Sequence, residues 1–173
     1  VQIGSCGEGP ASAGGEALAR THSHRIGPIK APAMQNNQEE LHKQLTRQIF
    51  DQAWSNAHFD GLDELIDSNA HFHIRNSTAP MSPGDSRRVI SGWHRAFRDF
   101  RIRIEAMVAE EDLVAVRLIL SGTHQGQWKD IPATEKHLSV TAMMFLRFEK
   151  SKLVEIWEDF DELGLRQQLD IGK

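Results

Sequence analysis

From Phe100 to Asp159 apolar and polar side chains alternate with a period of two, broken only by short polar connections, which restricts this part of the chain to an antiparallel sheet. Phe100, Ile102, Ile104, Ala106 and Val108 alternate with Arg101, Arg103, Glu105 and Met107, so the first set is expected to be buried. Glu110-Glu111-Asp112 predicts a hairpin turn, and Leu113 to His124 a returning strand with Val114, Val116, Leu118 and Leu120 on one face. A connecting loop at Gly126 to Glu135 leads to a third strand, Leu138 to Phe148. That strand is apolar throughout one face and carries Met143 and Phe145 on the other, which predicts a homodimer through the outer face of the sheet. Glu149-Lys150-Ser151-Lys152 predicts a tight turn into a last strand, Leu153 to about Asp159, with a short helix from about Asp161 to Leu169.

The preceding stretch has helical periodicity. Leu41, Leu45, Ile49, Phe50, Ala53, Trp54 and Ala57 form one apolar face of a long helix whose cap signal is Asn37 with Glu40. A short helix is expected at about Asp60 to Ile66, capped by Asp60, and a strand from Ala70 to Asn76. Ser82-Pro83-Gly84-Asp85 has the order of a capping box with proline in the first turn, and opens a third helix that buries Val89, Ile90, Trp93, Ala96 and Phe97. Helices followed by consecutive strands give an α+β fold, a strongly curved antiparallel sheet forming a cone around about three N-terminal helices. Residues 1–35 are rich in glycine and proline and poor in large apolar groups, so they are expected to be a flexible extension of a domain at 36–173.

Composition excludes several classes of partner. With 20 basic and 24 acidic residues interspersed along 173 positions, the net charge of -4 offers no basic stripe for nucleic acid and no polybasic segment for lipid. The single cysteine supports neither an internal disulfide nor a thiolate metal cluster, and suits a cytoplasmic location. No apolar run approaches the roughly 20 residues of a membrane span. His71 and His73 have ligand-like spacing, but two ligands do not make a metal site, and none is expected.

Two segments place polar chemistry beside apolar strands, Gly122-Thr123-His124-Gln125-Gly126 and Trp157-Glu158-Asp159-Phe160-Asp161. Together with Ala96-Phe97-Arg98-Asp99-Phe100, Asp130-Ile131-Pro132-Ala133-Thr134 and Leu165-Arg166-Gln167-Gln168-Leu169, in this order along Gln38 to Leu169, they make the chain resemble the SnoaL-like polyketide cyclases of the nuclear transport factor 2-like superfamily. The resemblance implies a cofactor-free ester cyclase that closes a ring by intramolecular aldol condensation of a small hydrophobic or aromatic carbonyl compound. It puts the acid-base carboxylate on Asp161, four residues after Trp157, and a second group on His124. His73 matches the family's histidine at the end of the first strand. The chain departs from the family pattern at Arg98, Asp130 and Glu135, and the polar segment Ser77 to Asp85 matches poorly.

In this reading Asp161 removes a proton flanked by two carbonyls and His124 stabilises the enolate. Each also has an ordinary structural role open to it, Asp161 as a helix cap and His124 as a hydrogen-bonded core residue on the parity of Leu118 and Leu120. Asp159, sharing parity with Trp157 and Asp161, is a second candidate acid. His73, Asn76, Trp128 and Trp157 are candidates for contacting substrate. The absence of tyrosine removes the hydroxyl on which the superfamily's ketosteroid isomerases and scytalone dehydratases rely. The alternatives are a non-catalytic module that binds a small ligand or dimerises, and a small-molecule isomerase or hydrolase that positions water with Asp159 and Asp161.

Overall fold

The computed structural model of the chain describes residues 35–74 and 79–169. The expectations for the N-terminal extension and for Asn76 lie outside the described residues. Helix α1 (Gln35–Ile49) continues into a π-helical turn, Phe50–Ser55, that buries Phe50, Ala53 and Trp54. Asn37 therefore lies inside a helix rather than capping it. α2 (Leu62–Leu65) is shorter than its periodicity suggests. Its cap is Gly61 in the left-handed region (φ 80°), not Asp60, and Ile66 already belongs to strand β1 (Ile66–Ile74). α3 (Pro83–Ala96) opens with the expected capping box, in which the Ser82 hydroxyl accepts from the Asp85 amide and the Asp85 carboxylate accepts from the Ser82 amide.

The sheet runs in the order β1-β5-β4-β3-β2, with β2 at Arg101–Glu110, β3 at Leu113–Thr123, β4 at His137–Glu149 and β5 at Lys152–Phe160. Strands β2 to β5 form antiparallel hairpins and pairs, whereas β1 pairs parallel to β5 at the edge, so the sheet is mixed rather than purely antiparallel. The parallel pairing is possible because some eighty residues of chain separate the two strands, far more than a parallel crossover needs. Lys150 and Ser151 both have positive φ, the conformation of a two-residue hairpin turn whose twist matches its strands. α1 and α3 cover one face of the curved sheet, and α4 (Glu162–Gln168) packs on β4.

The core lies between the helices and that face. Leu118, Leu146 and Leu153 from the strands meet Phe50, Phe97 and Phe100 with essentially no exposure. His42 of α1 joins them, stacked on Phe148 at 4.9 Å with Nδ1 3.2 Å from the Glu111 carbonyl, and ties the helix to the β2–β3 turn.

Two bulges change which side chains face this core. The β2 register shifts between Ile104 and Ala106, after which Met107 and Ala109 turn inward. Ala106 and Val108, read from the alternation as buried, are exposed, Val108 at 67%. On β5 the register shifts between Leu153 and Glu155, with Val154 as the extra residue. Because side chains alternate strictly along a strand, one inserted residue reverses every position beyond it. Leu153 faces the core, but so do Ile156, Glu158 and Phe160, while Trp157 and Asp159 face outward.

The glycine-threonine-histidine-glutamine-glycine segment is where the end of β3 meets the end of α3. A Cβ at Gly122 would press on Phe97, and one at Gly126 would overlap the Arg95 carbonyl oxygen, while the Gly126 amide donates to the Ala96 carbonyl at 2.9 Å. Both glycines are there because backbone approaches backbone. Gly126→Ala is expected to destabilise the protein by about 1–3 kcal/mol through overpacking, read as a lower urea midpoint with an unchanged m-value.

Candidate active site

A cavity of about 520 Å³ opens between the C-terminal half of α3, the paired ends of β1 and β5, and the loop after β3. Helical spacing on α3 puts Val89, Gly92, Trp93 and Arg95 along one wall. The facing wall is Ile74 of β1 with Glu158 and Phe160 of β5, and the loop adds Gln127, Trp128 and Lys129. The ring centroids of Trp93 and Trp128 lie 5.7 Å apart and those of Trp93 and Phe160 also 5.7 Å, so three aromatic rings enclose one side. An apolar cavity with a few convergent polar groups is the usual form of a small-molecule site.

Glu158 is the acid in its lining. Its cross-strand neighbours are Met144 and Ile74, which leave the carboxyl little water. Burial, with the charge of Asp159 next to it as a smaller contribution, pushes Glu158 up to about 7 from the ordinary 4.5. A carboxyl at that position is poised to gain and lose a proton near neutral pH. Sequence reasoning missed it, although a signal was present: Glu158 shares its parity with Ile156 and Phe160, an acid framed by two core residues.

The residues singled out from the sequence divide between three places. Trp128 is in the cavity wall, buried to 6% exposure. His73, Trp157 and Asp159 are on the opposite, outer face of the sheet, because the Val154 bulge and the parity of β1 turn them there. There His73 Nε2 contacts Glu155 at 2.8 Å, and the Trp157 ring lies between the His73 ring at 5.4 Å and the Arg147 guanidinium at 5.0 Å. Asp161 and His124 are in neither location and are not brought together. The Asp161 carboxylate accepts from the Gly164 amide at 2.8 Å as the cap of α4, and its own amide donates to the Thr141 carbonyl at 3.0 Å.

His124 has no exposed surface and lies against Phe97, ring centroids 5.1 Å apart. Its Nδ1 is 3.1 Å from the Thr134 hydroxyl, while Nε2 is buried with no partner. A bare lone pair is cheaper to bury than an orphaned N–H, which favours the tautomer with Nδ1–H donating to Thr134. Burial holds the imidazole below its ordinary pKa, with Glu135 pulling weakly the other way. Nearby, Asp99 accepts from the Thr123 amide and hydroxyl, which lowers its carboxyl below the usual range and fixes the same strand end. Among the described residues no three histidine, cysteine, aspartate or glutamate side chains gather as a metal site.

A second cavity, of about 510 Å³, lies at the N-terminal end of α3. Both of its cations are engaged by Asp63, Arg87 on the carboxylate at 2.6 Å and Lys152 on the backbone carbonyl at 2.9 Å.

A depressed histidine pKa contributes stability that is present above the unfolded value near 6.5 and lost as the pH falls, because only the unfolded chain takes up the proton readily. The urea midpoint of the wild type is therefore expected to drop more between pH 7.5 and 5.5 than that of His124→Leu, and equal drops would place the imidazole in contact with water.

Residues 44–169 match the family model of the SnoaL-like polyketide cyclases. Among solved structures, AclR from Streptomyces galilaeus, described as a candidate hydroxylase, is 25% identical with a TM-score of 0.68, over 76% of this chain and 82% of that one. IdmH from Streptomyces antibioticus, described as a candidate polyketide cyclase, is 22% identical with a TM-score of 0.67, over 75% of this chain and 99% of that one. A candidate SnoaL-like polyketide cyclase from Jannaschia sp. CCS1 is 16% identical with a TM-score of 0.69, over 78% and 95% of the two chains. No curated protein matches the chain. With helices and sheet arranged as in these structures and the family model spanning well over half of the sequence, the chain belongs to the SnoaL-like polyketide cyclase family.

Proposed function

We propose that the protein is a cofactor-free acid-base enzyme that deprotonates a small hydrophobic carbonyl compound and directs the enolate to ring closure, with Glu158 as the base. The observation that carries this reading is a carboxyl displaced to about 7 in an aromatic-walled cavity of a cyclase-family fold. A proton flanked by two carbonyls is acidic enough for a carboxylate of raised basicity, without a metal or flavin. Above pH 7 Glu158 is the base; once protonated it returns the proton to the acceptor oxygen. The Lys129 ammonium and the Gln127 amide, both on the loop after β3, supply positive potential for the developing enolate. AclR's description as a candidate hydroxylase shows how widely assigned chemistry ranges in this fold, so the reaction is argued from Glu158 rather than from the neighbours.

The test is enzyme-dependent deuterium uptake at the methylene of an aryl β-keto ester, measured by NMR against buffer. Wild-type kcat/KM should rise with pH through 7, and Glu158→Gln should lose at least a hundredfold in rate. Asp161→Asn should keep near wild-type rates, because asparagine caps a helix as well as aspartate does. The opposite result, an inactive Asp161→Asn beside an active Glu158→Gln, would move the base to Asp161. Folding is a separate readout. A raised carboxyl pKa weakens the fold as pH climbs from 4.5 to 7, since the folded state must give up a proton it holds more tightly than the unfolded state does. Glu158→Gln should thus gain on the order of 1–3 kcal/mol over wild type at pH 8 and little at pH 4.5.

The same reading includes a homodimer through the outer sheet face, where Val108, Met143 and Phe145 remain 67%, 50% and 44% exposed. Sedimentation equilibrium should give twice the chain mass, and Phe145→Lys should shift it toward the monomer; a monomeric wild type rejects this part of the proposal.

A further inference from the structure

The cations around the cavity mouth are not equivalent. Lys129 sits over the Trp128 ring, Nζ to centroid 4.7 Å, and is engaged with the Glu162 carboxylate at 2.8 Å. Arg166, 5.8 Å from the same ring, is held by Glu162 at 3.3 Å and Asp130 at 3.9 Å. Arg95 lines the cavity and makes no ion pair or side-chain hydrogen bond among the described residues. Its guanidinium lies back over Gly92, where a Cβ would be 3.9 Å from Nη2, and Gly92 is itself part of the wall. Arg95 is exposed at the rim of a wall that is otherwise largely apolar, and its planar fork has the geometry that takes a carboxylate in two parallel hydrogen bonds.

Arg95 comes from α3 and Glu158 from the facing strand β5, so the cation and the acid lie on opposite walls of the cavity. A ligand spanning both would have its rings between Trp93, Trp128 and Phe160 and its charge at the rim. We propose that the cavity selects aromatic molecules carrying a carboxylate, which Arg95 binds at the mouth while the ring system lies against the tryptophans. This rests on the reading of the cavity as a substrate site, but not on Glu158 being the base.

Trp93 and Trp128 make binding observable as tryptophan fluorescence quenching, with 2-naphthoate and its methyl ester as probes. The carboxylate is expected to bind at least tenfold more tightly than the ester to the wild type and to Glu158→Gln alike. Arg95→Gln should remove that preference while leaving ester binding unchanged, and Arg95→Lys should restore part of it. Equal affinity for acid and ester in the wild type, a preference that survives in Arg95→Gln, or no binding of the acid at millimolar concentration would each overturn the proposal. If Glu158→Gln keeps both its preference for the acid and its deuterium-exchange activity, the selection stands and the assignment of the base fails, so the two claims fail separately.

Discussion

One inserted residue, Val154, decides what the interior of this protein can do. Upstream of it β5 presents Leu153 to the helices, and downstream Ile156, Glu158 and Phe160. Without the insertion Trp157 and Asp159 would point inward and Glu158 into solvent. A bulge costs a ladder hydrogen bond and extra local twist, a small term beside the burial of the strand as a whole. In return it delivers a carboxyl to a place where water is scarce and its proton affinity rises. The arrangement loses stability at neutral pH by the same desolvation, a pattern expected where a buried acid is kept for chemistry rather than for folding.

The rest of the framework serves to hold the two walls of the cavity apart at a fixed distance. α3 is pinned at its start by the Ser82 and Asp85 capping box and at its end by the close approach of Gly126 to Arg95. Between those fixed points Trp93 packs on Phe97 and Phe100 as well as on Trp128, so the aromatic wall is continuous with the core. His124 belongs to the same packing. It fills the space beneath Phe97 as a neutral ring, and its link to Thr134 fixes the loop that carries Trp128.

How much of this was legible in the sequence depended on whether the information was local. Capping chemistry and hairpin turns are written in adjacent residues, so the start of α3 and the Lys150-Ser151 turn were placed correctly. The α+β class followed from the periodicities and the order of elements. Bulges are not written this way, since an extra residue shows only against the partner strand. For that reason strict alternation puts Val108 in the core and Trp157 and Asp159 in the cavity, whereas the two bulges turn these three outward and Glu158 inward. The parallel pairing of β1 with β5 was equally invisible, being a long-range choice. For Asp161 the capping alternative read from the sequence is the contact found; for His124 parity correctly indicated a buried ring, but no pattern could reveal that Nε2 would lack a partner.

The position of β1 bears on how the molecule assembles. Strands β2 and β3, and β4 and β5, are joined by tight turns and β3 and β4 by a single loop, so they can pair by local contacts, whereas β1 meets β5 only by bringing His73 to Glu155, 82 positions along the chain. Closing so large a loop is slow and comes after local pairing. Because Ile74 of β1 forms part of the wall opposite α3, the cavity comes into being only with this docking event. Ligand recognition would then be silent throughout refolding until the final, slowest phase.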